Sequence, residues 1–208
     1  VWMAGSSSAC AQELSTVIQG VEAAYRDVQS LKADFVQVTR NAAMGEGARQ
    51  RGKLEMKRPK KMRWSFVQPS GKLFVTDGQT MWVWSEADNQ VIVSPVLAQS
   101  GGDGMTQLLD GLDSLSKLFD VTLVDANAGP EKRSYKLSLS PKTGSSFQSI
   151  ALLVARKDYK VQRVSMLDAF GNTVDLIFQH VKLNTEIADS RFSFPIPDGA
   201  QVIRTDGP

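Results

Sequence analysis

The side chains that most often perform covalent or metal chemistry are scarce in this sequence. Its 208 residues include one histidine, His180, and one cysteine, Cys10. A zinc site built mainly from His and Cys needs three or four such ligands, so we expect no metal and no cofactor. Only His180 could act as the imidazole of a Ser–His or Cys–His pair, and no serine lies in a G-x-S-x-G nucleophile elbow. These residues disfavour an enzyme.

Glu86 and Asp88 stand next to a predicted turn, where solvated carboxylates are common. A run of basic residues leaves two interpretations open. The basic run from Lys57 to Lys61, continued by Arg63, could be a strand edge that resists edge-to-edge pairing. Alternatively, it could meet an acidic partner or anionic headgroups.

Length and composition favour one globular domain. The chain has 24 Lys and Arg against 22 Asp and Glu, a net charge of +2, and 42% apolar residues. We therefore expect no nucleic-acid binding, because a dedicated nucleic-acid binder usually has a clustered basic face. We also expect the protein to be a monomer. No run of 18 apolar residues predicts a membrane span.

The first residues predict export. Residues 1–11 end in Ala9-Cys10-Ala11, which fits the small-x-small end of a signal peptide. We interpret them as a signal-peptide remnant or added residues, followed by a single domain over 12–208. A lipid-modified Cys10 is the alternative, although Ser7 stands where a lipobox prefers a bulky apolar residue.

The hydrophobic period divides the chain into helices and strands. Apolar residues follow helical spacing from Leu14 to Val28, and alternation with a period of two begins at Leu31. Turn signals such as Gly45–Gly47 and Asp168–Asn172 separate short strands, as in an antiparallel meander. An insert at about 98–119, after Pro95, returns to helical spacing. The pattern predicts an α+β fold, one strongly curved antiparallel sheet with helices on one face.

Aromatic and methionine side chains concentrate in the first half of the predicted sheet. Trp64, Trp82 and Trp84 lie close together, and both faces of the Met81–Trp84 strand are apolar. These residues could form a large core under a helix. They could also line an apolar cavity beneath movable helices, since Met and aromatic linings suit irregular apolar ligands. Periodicity does not separate the two interpretations.

Ordered motifs cover nearly the whole chain. Residues from Arg58 to Trp82 read R-P-x4-W-x4-P-x7-D-G-x3-W, preceded by Phe35–Gln37 and Gly52–Leu54, and Phe192–Gly199 read F-x-F-x-x-P-x-G. In order and spacing, they resemble the LolA family of periplasmic lipoprotein carriers. Met62 departs from the family, whose members often have a bulkier apolar residue there.

The resemblance implies an unclosed β-barrel with a helical lid over its concave face and an acyl-binding cavity between them. It also implies a periplasmic carrier that takes lipoproteins from an inner-membrane ABC transporter to an outer-membrane acceptor. Arg58 would hold the lid closed when the cavity is empty. The residues expected to line the cavity are Leu14, Val21, Phe35, Leu54, Met56, Met62, Trp64, Phe66, Trp82, Leu108 and Leu112.

Three alternatives accompany this interpretation. The same superfamily fold serves lipid- or lipoprotein-sensing regulators and carriers of specialised lipids, and fold similarity alone does not choose among them. The third alternative is an enzyme acting on lipid or sugar, but the sequence contains no nucleophile–base constellation that would support it.

Overall fold

The computed structural model describes residues 6–96, 108–142 and 147–205. The described elements are listed in chain order. They are α1 (Ser6–Arg26), β1 (Ser30–Asn41), β2 (Gly45–Lys57), β3 (Lys61–Gln68), β4 (Ser70–Asp77), β5 (Thr80–Ser85), β6 (Gln90–Pro95), α2 (Leu115–Leu118), β7 (Phe119–Ala128), β8 (Ser134–Pro141), β9 (Phe147–Ala155), β10 (Val161–Asp168), β11 (Thr173–Leu183) and β12 (Gln201–Arg204). Short 3-10 helices cover Leu112–Ser114, Pro130–Lys132 and Asp189–Phe192.

All twelve described strands belong to one sheet. Their order is β12-β6-β5-β4-β3-β2-β1-β11-β10-β9-β8-β7. In that order the terminal strands β12 and β7 have no second described neighbour, so the sheet is not closed. The predicted unclosed sheet with helices is confirmed. It is mixed rather than purely antiparallel, because β12 pairs in parallel with β6.

The inner face of the sheet, which carries Leu54, Trp64 and Phe74, packs against α1. These three residues are direct cross-strand partners on β2, β3 and β4. Val17 and Val21 of α1 recur every fourth residue and are fully buried in the same core, as expected for one face of a helix. Because each buried apolar side chain contributes about 1.5–3 kcal/mol, this contact holds α1 on the sheet.

The outer face, opposite to the inner one, has its own apolar cluster. Val75 and Val91 are fully buried there and do not belong to the inner core. Residues 184–200, the C-terminal strap, supply Phe192, which is 1% exposed, and Phe194, whose ring centroid lies 6.3 Å from that of Trp84. The strap therefore explains why β5 is apolar on both faces.

Ion pairs also fasten the C-terminal strap to β2. Lys57 Nζ lies 2.7 Å from the Asp189 carboxylate, and Arg191 pairs with Glu55. Hydrogen bonds from Lys57 and Lys61 hold the pKa of Asp189 below its ordinary value. The charged residues of the basic run from Lys57 to Lys61 are thus partly used within the fold.

Two local expectations are wrong. Gly45–Gly47 does not form the β1–β2 turn, which lies at 42–44. A Cβ at Gly47 would lie 2.6 Å from the Thr39 carbonyl oxygen, so this glycine permits a close strand approach instead. His180 does not continue the inner face of β11, because a bulge opposite Lys32–Asp34 changes the alternation and His180 has φ 51°.

The predicted lid is partly described. Residues 98–107 lie outside the described ranges, as do residues 1–5. From 108 onward the insert consists of a helical turn at 108–110, the 3-10 helix Leu112–Ser114 and α2, and β7 begins at Phe119. We call residues 108–118 the lid segment. At the N-terminus, α1 begins at Ser6 and so includes residues 6–11 of the expected leader remnant.

Candidate functional site

An open cavity lies against one end of the inner face. Its volume is about 520 Å³. The lining residues are Gln37, Gln50, Trp64, Phe66, Lys72, Leu73, Phe74, Val83, Trp84, Ser85, Asp88, Gln90, Ile92, Met166, Val174 and Leu176. Pockets of about 300–1,000 Å³ with a mainly apolar wall and a few polar groups are typical of small-molecule sites.

Strand register explains how the cavity floor is built. Trp64, Phe74, Val83 and Ile92 are successive cross-strand partners on β3, β4, β5 and β6. Paired residues in neighbouring strands project to the same face, so these four form one apolar row. Leu176 and its neighbours on β10 and β11 form the other wall. The opening has a polar edge, where Gln37 donates a hydrogen bond to Gln50 over 3.4 Å.

The cavity lies at the end of the sheet where four hairpins turn within fully described residues. The connections are β1–β2 at 42–44, β3–β4 at Pro69, β5–β6 at 86–89 and β10–β11 at 169–172. We call this end the hairpin end. The β2–β3 turn, which contains Arg58 and Pro59, is at the other end, because the strands are antiparallel.

Ten of the eleven expected cavity residues separate into three groups. Trp64 and Phe66 line the open cavity. Phe35 lies directly beneath both, with its ring centroid 4.9 Å from Trp64 and 5.2 Å from Phe66. Seven others lie in the closed core between sheet, α1 and lid segment, with Leu14 only partly buried at its margin. They are Leu14, Val21, Leu54, Met56, Met62, Leu108 and Leu112.

Trp82 does not join the other expected cavity residues. Its cross-strand partners are Val75 and Val93, which belong to the outer face. Its neighbours Met81 and Val83 alternate with it and project inward. Trp82 was expected among the cavity residues, whereas the strand alternation, applied from Phe74 to Val83 and Ile92, identifies the actual floor.

Arg58 connects three segments of the chain. Its guanidinium donates hydrogen bonds to the Tyr25 carbonyl of α1 at 3.3 Å, the Asp110 carbonyl at 2.9 Å and the Asp113 carboxylate at 2.7 Å. The Arg58 side chain is only 13% exposed, and its Nε lies 3.6 Å from the Asp110 carboxylate. Bonds between ionised groups are about twice as strong as neutral ones.

A second contact joins the lid segment to α1. The Ser116 amide and hydroxyl both donate to the Glu22 carboxylate, at 2.9 and 2.7 Å. Glu22 and Tyr25 lie one helical turn apart on α1. The sequence motif pointed to Arg58 but not to its partners Asp110 and Asp113, whose spacing of three places them on one side of a helical segment.

The single histidine lies apart from the cavity. His180 is exposed, and its Nδ1 lies 2.8 Å from the Asp34 carboxylate. Within the described ranges, no group of three or more His, Cys, Asp or Glu side chains could hold a metal ion. None of the described helices is long and apolar enough to cross a membrane.

Comparison with known proteins identifies the family. Residues 26–195 match the family described as outer membrane lipoprotein carrier protein LolA. This chain belongs to the LolA family. The match includes Arg58, the lid segment and the cavity floor, and the resemblance drawn from the sequence motifs is confirmed.

Relatives of this LolA-family chain match it over most of its length. It is 26% identical over 186 residues to an outer-membrane lipoprotein carrier protein of Methylobacillus flagellatus, covering 89% of this chain and 88% of that protein. It is 30% identical over 179 residues to a protein of the same description from Dechloromonas aromatica, covering 86% and 83%.

One solved structure shows a similar fold. It is described as an uncharacterized conserved protein from Thermus thermophilus, and the TM-score is 0.58 at 19% identity. The alignment covers 94% of this chain and 99% of that one. At this identity the likeness shows a shared fold and nothing further.

Proposed function

We propose that this LolA-family chain is a periplasmic lipoprotein carrier that encloses acyl chains against its inner face and delivers them to the outer membrane. The observation that carries the proposal is the apolar row from Trp64 to Ile92 in an open cavity of about 520 Å³. The family match over residues 26–195 supports the same proposal. No covalent step is needed for such a role.

Acyl binding must be both favourable and reversible. Each methylene moved out of water contributes about 0.8 kcal/mol, so several fully buried chains would bind almost irreversibly. Opening the lid segment would enlarge the cavity by uncovering Leu109, Leu112 and Leu115, which are now buried. It would also break the bonds of Arg58 to Asp110 and Asp113, and that cost would offset part of the affinity.

The proposed partners follow from this role. An ABC transporter of the inner membrane would load the cargo and an acceptor at the outer membrane would receive it, with the carrier acting as a monomer. The open hairpin end is the route by which acyl chains would pass. Arg58 and its bonds to α1 and the lid segment, which together we call the latch, lie at the opposite end of the sheet.

A charge on the cavity floor tests the proposal. Val83→Glu places a carboxylate in the apolar row, and desolvating it against an acyl chain is unfavourable. We expect a fluorescent acyl probe to bind at least about tenfold more weakly, since the cost exceeds that of one tenfold step. The matched variant Val124→Glu, at a residue 55% exposed on β7, should bind normally.

Native mass spectrometry gives the second measurement. The wild-type protein purified from a periplasm should carry lipid or lipoprotein, or take up acyl chains afterward. Absence of both would contradict the carrier function. Equal probe affinity of Val83→Glu and Val124→Glu would contradict the assignment of the cavity floor.

A further inference from the structure

Two large apolar side chains are exposed at the hairpin end. Met44, in the β1–β2 turn, is 84% exposed, and Phe170, in the β10–β11 turn, is 85% exposed. Val67, at the end of β3, is 52% exposed. Exposed large apolar groups that cluster mark interaction sites, whereas isolated ones are ordinary.

The two turns touch each other. The Ala42 amide donates a hydrogen bond to the Asn172 side-chain oxygen over 3.2 Å. A Cβ built on Gly171 would lie 3.2 Å from the Cβ of Ala42. Met44 and Phe170 therefore belong to one surface, which we call the rim (Ala42–Met44 and Ala169–Gly171).

Both turns are held by hydrogen bonds of their own. The Asn41 side-chain oxygen accepts from the amides of Ala43 and Met44, at 2.9 and 3.1 Å. The Asp168 carboxylate accepts from the amides of Phe170 and Asn172, both at 2.8 Å. Bonds of this type fix turns, so the chain presents these apolar groups instead of folding them inward.

The rim lies beside the opening of the cavity. Gln37 and Gln50 of the opening are on the strands that the Met44 turn connects, and Met166 and Val174 are on the strands that the Phe170 turn connects. An acyl chain that enters or leaves the cavity at this end would pass the rim.

Basic side chains lie on the outer face of the strands that the two rim turns connect. Arg40 and Arg163 share one carboxylate, that of Asp175, at 2.8 and 2.9 Å. Burial of Asp175 opposes its ionisation, but hydrogen bonds from Arg163 and Ser165 outweigh burial and lower its pKa. The pair of guanidiniums therefore keeps a surplus positive charge.

Further arginines lie on the strand after the Met44 turn. Arg49 and Arg51 are exposed. Between residues 40 and 51, three arginines accompany one glutamate, Glu46. On the other turn, the Asp168 carboxylate accepts hydrogen bonds from the amides of Phe170 and Asn172 and from the Asn172 side chain, and its negative charge offsets that of one arginine. Cations near a surface favour anionic lipid by an electrostatic attraction that salt screens.

We propose that the rim docks on an anionic phospholipid membrane, with Phe170 and Met44 inserted at the headgroup level and the neighbouring arginines on the phosphates. Two tips are too small for a stable protein interface, which buries about 800 Å² per partner. They suit shallow insertion, which needs only a few apolar groups and basic neighbours. This role rests on the proposed carrier function and adds to it the surface that would meet the membrane.

Vesicle flotation tests the proposal. We expect the wild-type protein to float with phosphatidylcholine vesicles that contain phosphatidylglycerol, and to float less as salt rises. The double variant Met44→Ser, Phe170→Ser should bind at least about tenfold more weakly, because burying one large apolar side chain is worth about that factor. Val124→Ser, which also replaces an exposed apolar side chain with serine, but on β7, should bind like the wild type.

A second arm tests the charges. Arg49→Gln, Arg51→Gln should weaken flotation with the anionic vesicles while leaving the apolar tips in place. Equal flotation of the wild type with pure phosphatidylcholine vesicles would overturn the assignment of an anionic surface. Flotation of the Met44→Ser, Phe170→Ser protein at the wild-type level would overturn the assignment of the tips.

Acyl-probe binding without vesicles separates this proposal from the carrier function. The rim variants should bind the probe normally, because neither Met44 nor Phe170 lines the cavity. Failure of the wild type to bind the probe would remove the carrier function and leave the vesicle result readable. Absence of wild-type flotation with normal probe binding would remove only the membrane-docking rim.

Discussion

Tyr25 is bonded through both its backbone and its side chain. Its carbonyl accepts a hydrogen bond from Arg58, and its hydroxyl accepts one from the Val161 amide at 3.0 Å. The residue is 2% exposed. At this one position, the end of α1 is hydrogen-bonded to Arg58 and to the start of β10.

Removal of the Tyr25 hydroxyl should destabilise the protein. Tyr25→Phe keeps the ring but leaves the buried Val161 amide without this acceptor, which costs about 1–3 kcal/mol. Urea unfolding should show that loss in the free energy of unfolding. Tyr159→Phe, at a half-buried residue, is the control and should cost less. Equal stability of Tyr25→Phe and wild type would contradict the importance of this bond.

The same variant has a pH signature. Burial, together with the charge of Asp158, raises the pKa of Tyr25 to about 12, against an ordinary value of about 10. The folded state therefore holds the phenolic proton more tightly than the unfolded state. This contribution is complete below about pH 10 and is lost as the pH rises through about 12. Wild-type stability should fall more steeply than that of Tyr25→Phe across that interval.

The C-terminal strap is the element that completes the outer face. Phe192 fills the outer cluster at 1% exposure, and the 3-10 helix Asp189–Phe192 contacts β3 and β4. Without the strap, Val75 and Val91 would face water on a sheet whose other side is already covered. The closing sequence motif is therefore explained by packing rather than by cargo binding.

Truncation of Phe192 measures what the strap contributes. Phe192→Ala should lower the free energy of unfolding by about 3–5 kcal/mol, because it leaves a cavity in a packed cluster. Ile196→Ala, at a strap residue 37% exposed, should cost far less. Acyl-probe affinity should remain normal in whatever fraction stays folded, since the strap lies on the opposite face. A loss below about 1 kcal/mol would show that the cluster is not tightly packed.

Elements with a regular period were predictable, and irregular ones were not. The spacing from Leu14 to Val28 predicted α1, and alternation in Met62–Phe66 correctly placed those side chains inward. The bulge at His180 depends on pairing with β1, far away in sequence, so parity counted along β11 alone failed. Trp82 was misplaced because both faces of β5 are apolar, so composition did not show which alternate residues project inward.

The candidate site was predictable in part for the same reason. Arg58 was named from the motif, but its hydrogen bonds go to residues 33 to 55 positions away. The row Phe74, Val83 and Ile92 requires the register of four strands. The parallel pairing of β12 with β6 follows only after the C-terminal strap has crossed the outer face.

At the scale of the whole molecule, the proposed function uses the two ends of the sheet differently. The hairpin end contains the cavity opening and the rim, and the other end contains Arg58 with its bonds to α1 and the lid segment. A carrier needs affinity that can be reversed, and in the function we propose this separation would allow Arg58 to oppose binding without occupying the cavity. The closed state and the acyl-bound state would then compete for the position of the lid segment.

Arg58→Leu should therefore shift the balance toward the acyl-bound state. It removes bonds to charged or carbonyl partners worth about 1.5–3 kcal/mol each in such settings, so opening costs less. Probe dissociation should slow by about tenfold or more. In hydrogen exchange, the lid segment of the empty Arg58→Leu protein should exchange faster, as in the probe-bound wild type, while the C-terminal strap stays unchanged.

Controls make that result specific to the latch. Arg133→Leu removes an arginine whose side chain is 79% exposed and pairs with Glu131, and it should release the probe at the wild-type rate. If Arg58→Leu also releases probe and delivers lipoprotein normally, Arg58 is a structural residue and not a latch. If probe binding leaves exchange in residues 108–118 unchanged, the lid segment does not open on loading. The latch requires both effects, because opening of the lid segment is the step through which we propose that Arg58, at the far end, influences cargo at the hairpin end.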